Sequence, residues 1–231
     1  MAGDDSLSTV FLVGAVAHIV FALVFVVLYG YAIFTQQFNR SAIAGNSIVV
    51  AIITQAVYWV QFCGLGAIVR SDNQTVYYLE WIGYSFSLFL IAKSLALFLQ
   101  APREQELTPA YYLLLVGVGG VLGTFISSDY RGAQWAVLLS TTAIYVIFFV
   151  ELVRRGSIDR WEETFTLVYF IVVTLLTYVL FYVLGTPVYN AVSSTAEHWA
   201  YLIGNLLSKF VLPILEFVWF RQTPRTRVPQ E

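Results

Sequence analysis

Asn205-Leu-Leu-Ser-Lys209-Phe-Val-Leu-Pro213 sets a lysine near the middle of the last apolar span of the chain. At that depth no water is at hand to hold the charge of an ammonium, and a neutral amine is a nucleophile towards aldehydes. An ionisable side chain inside a membrane span marks a functional site and calls for a partner. The rest of the sequence is read for what surrounds this amine and which carboxylate answers it.

Working outward, the 231 residues are 59% hydrophobic and 11% charged, with a mean hydropathy of +0.76. So few charges leave a water-soluble domain of this size uncovered. Long apolar runs instead fit a bilayer, where each spanning helix takes about 20 residues. A formal net charge of -2 argues against a nucleic-acid partner. The single cysteine, Cys63, rules out a disulfide framework and reads as a small buried hydrophobe in an apolar run. The N-terminal MAGDDSLST is acidic and has no basic segment, so no cleavable signal is expected.

Seven helices are expected at Val10–Phe34, Ala42–Ala67, Thr75–Leu99, Pro109–Ser127, Gln134–Val153, Thr164–Leu184 and Ala196–Phe220. The clusters QQFNRS, RSDNQ, APREQELT, SDYRG, RRGSIDRWEE and GTPVYNAVSS separate them. Thr108 before Pro109 and Thr195 before Ala196 read as helix caps. The fold class is therefore all-α, a single sequential seven-transmembrane helix bundle over 1–231. Under this threading Arg40, Arg103, Arg154, Arg155, Arg160, Arg221, Arg225 and Arg227 share one side, against Arg70 and Arg131 on the other. Basic loops stay in the cytoplasm, so the N-terminus is expected outside and the C-terminus inside a multi-pass cell-membrane protein.

The spans carry few ionisable groups. Glu80 lies one to two turns inside the outer boundary of the third, within Tyr77-Tyr78-Leu79-Glu80-Trp81, with Tyr84, Ser85 and Lys93 further along. The seventh carries Glu197 and His198 at its outer end, Lys209 at mid-depth and Glu216 in its inner half. At 3.6 residues per turn, Lys209 and Glu216 share a face about 10 Å apart, together with Asn205. Each has a plainer reading. Lys93 snorkels to the inner surface, Glu197 and His198 are interfacial, and His18 is a satisfied histidine of the bundle. Glu216 pairs with Arg221, and Lys209 forms an ion pair with Glu80 and nothing covalent.

A carboxylate followed by tryptophan in the third of seven helices, with a lysine in the seventh, resembles the microbial (type I) rhodopsins. The resemblance spans nearly the whole chain. Tyr178, Gly185, Glu197, Asn205 and Lys209 fall at that family's spacing, supported by Ser140-Thr141 in the fifth helix and Tyr58 in the second. It implies all-trans retinal joined to Lys209 as a Schiff base, with Glu80 as counterion and no enzymatic activity. Trp81, Tyr84, Ser85, Leu88 and Asn205 are then expected around the chromophore, as are Gly119, Leu122, Ser140 and Thr141. Leu175, Tyr178 and Tyr182 would complete the pocket. Glu197 and Glu216 stand as further proton-handling groups.

Departures from the family pattern shape the expected function. The second counterion, usually an aspartate four before the lysine, is Asn205, and the arginine three before the counterion is Tyr77. The internal donor position, eleven after the counterion, holds Ile91. The sixth helix has Leu175, Val179 and Tyr182 where the family has tryptophans and a proline. Glu216, seven after the lysine, resembles the xenorhodopsins and the related cyanobacterial sensory rhodopsin. The implied function is a light-driven proton translocator, inward favoured over outward. The alternatives are a slow photosensor signalling through a transducer protein and, ranked last, a light-gated channel. The resemblance also implies a homo-oligomer, a trimer or pentamer, in the lipid bilayer.

Overall fold

A computed structural model describes residues 4–102, 105, 107–185, 189 and 191–220. It contains α1 (Asp4–Phe34), α2 (Phe38–Phe62), a hairpin of β1 (Ile68–Val69) and β2 (Thr75–Val76), and α3 (Tyr78–Phe98). α4 (Leu107–Phe125), α5 (Arg131–Arg155), α6 (Trp161–Leu184) and α7 (Ser194–Trp219) follow. Seven helices are long and apolar enough to cross a membrane, and the chain is a multi-pass membrane protein. Of the charges used for orientation, Arg103, Arg221, Arg225 and Arg227 lie outside the described residues.

Cross-bundle hydrogen bonds define two ends. At the hairpin end, Ser6 Oγ meets Thr195 Oγ1 at 3.3 Å, and Arg70 Nη1 donates to Ile126 O at 2.8 Å. At the opposite end, Arg40 Nη2 donates to Phe220 O at 2.7 Å, and Ser157 N donates to Leu99 O at 2.8 Å. α3 is the most buried span and α5 the least, so α3 is the axis around which the site is built.

Several boundaries differ from the sequence reading. α2 stops at Phe62, not Ala67, because Gly64 adopts φ 77° and closes a left-handed cap: Leu65 N donates to Val60 O and Gly64 N to Gln61 O. The chain then forms the antiparallel hairpin, pairing Ile68 with Val76 and Val69 with Thr75, where a plain turn was expected. Cys63, just past α2, is exposed rather than buried. Thr195 is not the cap of α7; Ser193 is, its hydroxyl accepting from Ala196 N at 3.2 Å. Thr108 lies inside α4, which already begins at Leu107.

Two π turns interrupt the helices at mid-depth, Leu175–Val179 in α6 and Leu207–Val211 in α7. Such turns widen the helix and recur at functional sites. The second contains Lys209. Leu207 O accepts a hydrogen bond from Tyr169 of α6 at 3.1 Å, so a neighbouring helix supports the altered backbone.

Candidate functional site

Lys209 is 2% exposed and its Nζ has two polar neighbours. It donates to Thr54 Oγ1 of α2 at 3.1 Å and sits 4.5 Å from the centre of the Tyr84 ring of α3. Thr54 gives its own hydroxyl proton to Val50 O at 2.8 Å, which leaves its lone pairs facing the amine. Among the described residues no carboxylate lies within 4 Å of Nζ. Glu80 and Lys209 instead border one small void, with Thr54, Tyr58, Tyr84 and Asn205 around it.

On the other side Nζ faces a cavity of about 780 Å³, counted out to where it opens to the exterior. Trp81, Tyr84 and Leu88 of α3 line it, with Gly119 and Gly120 of α4, and Thr141 and Tyr145 of α5. Leu175, Tyr178 and Tyr182 of α6 close it. Small residues on α4 let the aromatics enter: a side chain at Gly120 collides with the Trp81 ring, and one at Gly123 with the Tyr182 hydroxyl. Trp81 stands edge-on to Tyr182 at 5.3 Å and to Tyr84 at 5.4 Å. The lining is apolar and aromatic and ends on one primary amine.

Asn205 is a fully buried junction of four helices. Its Nδ2 donates to Tyr58 OH at 2.7 Å and to Tyr84 OH at 3.3 Å, and its Oδ1 accepts from Tyr178 OH at 3.0 Å. Tyr178 also meets Ser208 Oγ at 3.0 Å.

Toward the hairpin end a second chamber is polar. Glu80, Glu197, His198 and Tyr201 border it, together with Tyr77 and Thr124. Glu80 Oε2 lies 3.7 Å from His198 Nε2. Glu197 and His198 are each 3% exposed, so the bundle buries both and the interfacial reading fails. Gly185, at the end of α6, leaves the space the Glu197 carboxyl fills.

At the opposite end Glu216 is fully buried, and neither carboxylate oxygen has a hydrogen-bond partner among the described residues. Arg221, the partner considered for it, lies outside them. His18 is half satisfied: Nδ1 meets Gly14 O at 2.7 Å, while Nε2 has no hydrogen-bond partner among the described residues. Lys93 is partly exposed.

Of the pocket residues expected from sequence, Trp81, Tyr84, Leu88, Gly119, Thr141, Leu175, Tyr178, Tyr182 and Lys209 border the large cavity. Ser85 lies just behind it, packed on Gly117 and donating to Trp81 O at 2.8 Å. Leu122 and Ser140 do not reach it: both are exposed on the outer surface, turned about 100° from their inward neighbours. Sequence reasoning missed Val137, Leu138, Thr142 and Tyr145 on α5, and Val116, Gly120 and Thr174 elsewhere. On α5 the signal was present, since Val137, Leu138 and Tyr145 are three or four residues from Thr141.

No protein-family model and no curated protein matches the chain. Solved structures do. A light-driven proton pump from Leptosphaeria maculans superposes with a TM-score of 0.80 at 16% identity, over 93% of this chain and 94% of that one. The light-driven proton pump of Coccomyxa subellipsoidea gives 0.79 at 17%, over 93% and 97%. Bromide-bound halorhodopsin from Halobacterium salinarum gives 0.79 at 16%, over 94% and 93%. The fold is the seven-helix fold of the microbial rhodopsins.

Proposed function

We propose that this chain is a retinal-binding, light-responsive membrane protein that moves protons when illuminated, with inward movement favoured. The observation that carries the reading is Lys209, whose buried amine stands at the end of an aromatic-lined cavity between the helices. The shared fold with light-driven pumps supports it. The role is photochemical rather than enzymatic.

The donor set fits an apolar aldehyde: one primary amine, no other amine or thiol in the lining, and flat aromatic walls. All-trans retinal, when bound, supplies a light-driven change of shape at the amine. Lys209 Nζ is the point of attachment and holds a proton there. Thr54 and Tyr84 orient that nitrogen, and Trp81 and Tyr182, which line the cavity, would hold the polyene and keep water from it. Glu80 supplies the negative charge, and Asn205, being neutral, leaves it as the nearest anion on that side. Glu216 is buried with both oxygens unpartnered among the described residues, which suits it to take up a proton on the far side of Lys209. The arginine distribution in the sequence supports the hairpin end outside and the Glu216 end in the cytoplasm.

One observation favours a photosensor as second reading. Ile91, at the usual internal donor position, sits in the apolar core at 3% exposure, so it offers no proton for a fast return.

The test is expression with all-trans retinal. The purified protein is expected to be coloured, and Lys209→Ala colourless with helical content retained. A coloured Lys209→Ala overturns the reading. Illuminated cells are then expected to alkalinise the medium in an uncoupler-sensitive way. A coloured protein giving no pH change selects the sensor.

A further inference from the structure

Tyr77 leaves the counterion without the arginine that the family places beside it. The structure puts another group there. His198, on the first turns of α7, is held by its Nδ1, which lies 2.7 Å from Ser194 O. A carbonyl oxygen only accepts, so Nδ1 carries a hydrogen and Nε2 is the remaining site. Nε2 faces Glu80 Oε2 at 3.7 Å and has no hydrogen-bond partner among the described residues, while Glu80 has the neutral Gln61 amide of α2 as a further polar neighbour. The two side chains are 4% and 2% exposed. A neutral imidazole with its Nδ1 protonated and an ionised Glu80 would set two acceptors against each other away from bulk water. That arrangement is costly and is relieved by a proton between them.

The surroundings hold the ring and add few competitors. Tyr77 packs edge-on against it at 4.7 Å and Phe11 of α1 at 5.3 Å. The titratable groups bordering the chamber with it are Tyr77 and Glu80 on α3, and Glu197 and Tyr201 on α7. β2 and α4 contribute Thr75, Val76 and Thr124, which carry no charge. Among the described residues at this chamber, His198 is the group able to become a cation.

We propose that His198 replaces the missing arginine as the cationic partner of Glu80, the two side chains sharing one proton across the chamber. His198 is thus a positioning residue for the counterion: it sets when Glu80 is charged, and through Glu80 the colour. The proton passes between Nε2 and Oε2 with no other bond made or broken. This rests on the proposed retinal reading.

The test uses the full chain with all-trans retinal in lipid. The colour is titrated against pH in the parent protein, in His198→Gln and in Glu80→Gln. His198→Gln is expected to stay coloured and to move the midpoint of the colour transition by a pH unit or more to the alkaline side, because the carboxylate keeps the Lys209 nitrogen on one side but loses its cation-forming neighbour on the chamber side. A midpoint within 0.3 of a unit of the parent, at about the resolution of such a titration, overturns the proposal. Should His198→Gln fail to fold, the parent protein decides. The chain has 2 histidines, so ring-labelled ¹⁵N spectra contain two imidazoles, and His18→Gln assigns them. One is expected to change protonation with the same midpoint as the colour, and to lose that link in Glu80→Gln. Two imidazoles unchanged across the transition overturn it. A parent protein that stays colourless sinks the retinal reading instead, a result distinct from these.

Discussion

Asn205 and Tyr58 meet at 2.7 Å, the amide of α7 donating to the phenol of α2. With the bonds to Tyr84 and Tyr178, the amide uses both donors and its oxygen, so a neutral group fills the position where the resemblance expects a second carboxylate. Asn205→Asp keeps the shape, and the phenols of Tyr58 and Tyr84 can turn to donate to it. It adds a negative charge on the Lys209 side of the cavity. An anion there holds positive charge at the nitrogen, so the absorption maximum is expected to move to shorter wavelength. Glu80→Gln is expected to move it to longer wavelength, and the double variant to return towards the parent. Absorption spectra of the four proteins check this, and an unmoved Glu80→Gln maximum identifies another group as counterion.

The α4 glycines give a stability test with an internal control. A methyl group at Gly120 overlaps the Trp81 ring, whereas one at Gly30 meets nothing within 4 Å. Overpacking a fitted core costs about 1–3 kcal/mol, so Gly120→Ala is expected to lower the midpoint of thermal unfolding and to narrow the cavity. Gly30→Ala is expected to be neutral or to stabilise by about 0.5–1 kcal/mol, through the helix propensity of alanine. Thermal melts of the two variants check the contrast, and equal behaviour rules out the tight Trp81–Gly120 approach.

The turn that carries Lys209 depends on α6. Tyr169 donates to Leu207 O at 3.1 Å, within the π segment. Tyr169→Phe removes that bond with little change in shape and is expected to cost about 0.5–1.5 kcal/mol. Because the loss falls on the backbone around Lys209, colour is expected to bleach faster on heating than helical content falls. Parallel absorbance and circular dichroism melts check this; superimposable losses place the effect on the whole bundle.

These features were unequally legible in the sequence. The seven spans follow from apolar length, and the lysine and its facing carboxylate from the rarity of charge at mid-depth. The hairpin was hidden because each strand is two residues long, too short for an alternating pattern, although Gly64 and Gly66 signalled the end of α2. The π turns left no residue signature in the sequence. Leu122 and Ser140 were misplaced because a resemblance gives a neighbourhood, while the direction of a side chain depends on a rotation of about 100° per residue. The Glu80–His198 approach joins residues 118 positions apart on two helices, and composition alone carries no trace of it.

Glu216 tests the direction of transport. It is fully buried seven residues beyond Lys209, and neither oxygen has a hydrogen-bond partner among the described residues. Its place on α7, two turns beyond Lys209, puts a titratable group where a proton leaving that nitrogen inward would pass. Glu216→Gln keeps the size and hydrogen-bonding shape but cannot take up a proton. The colour is expected to be unchanged, because the residue lies two turns from the cavity end of Lys209. The light-induced alkalinisation of the medium is expected to fall by tenfold or more, a loss of about 1.4 kcal/mol or more in the transfer step. Flash photolysis gives the companion measurement: the proton-transfer phase is expected to slow while the first photochemical step keeps its rate. Should Glu216→Gln alkalinise the medium as fast as the parent, the inward acceptor lies elsewhere. Should the parent acidify the medium and Glu216→Gln still do so, Glu80 and the chamber at the hairpin end carry the proton outward.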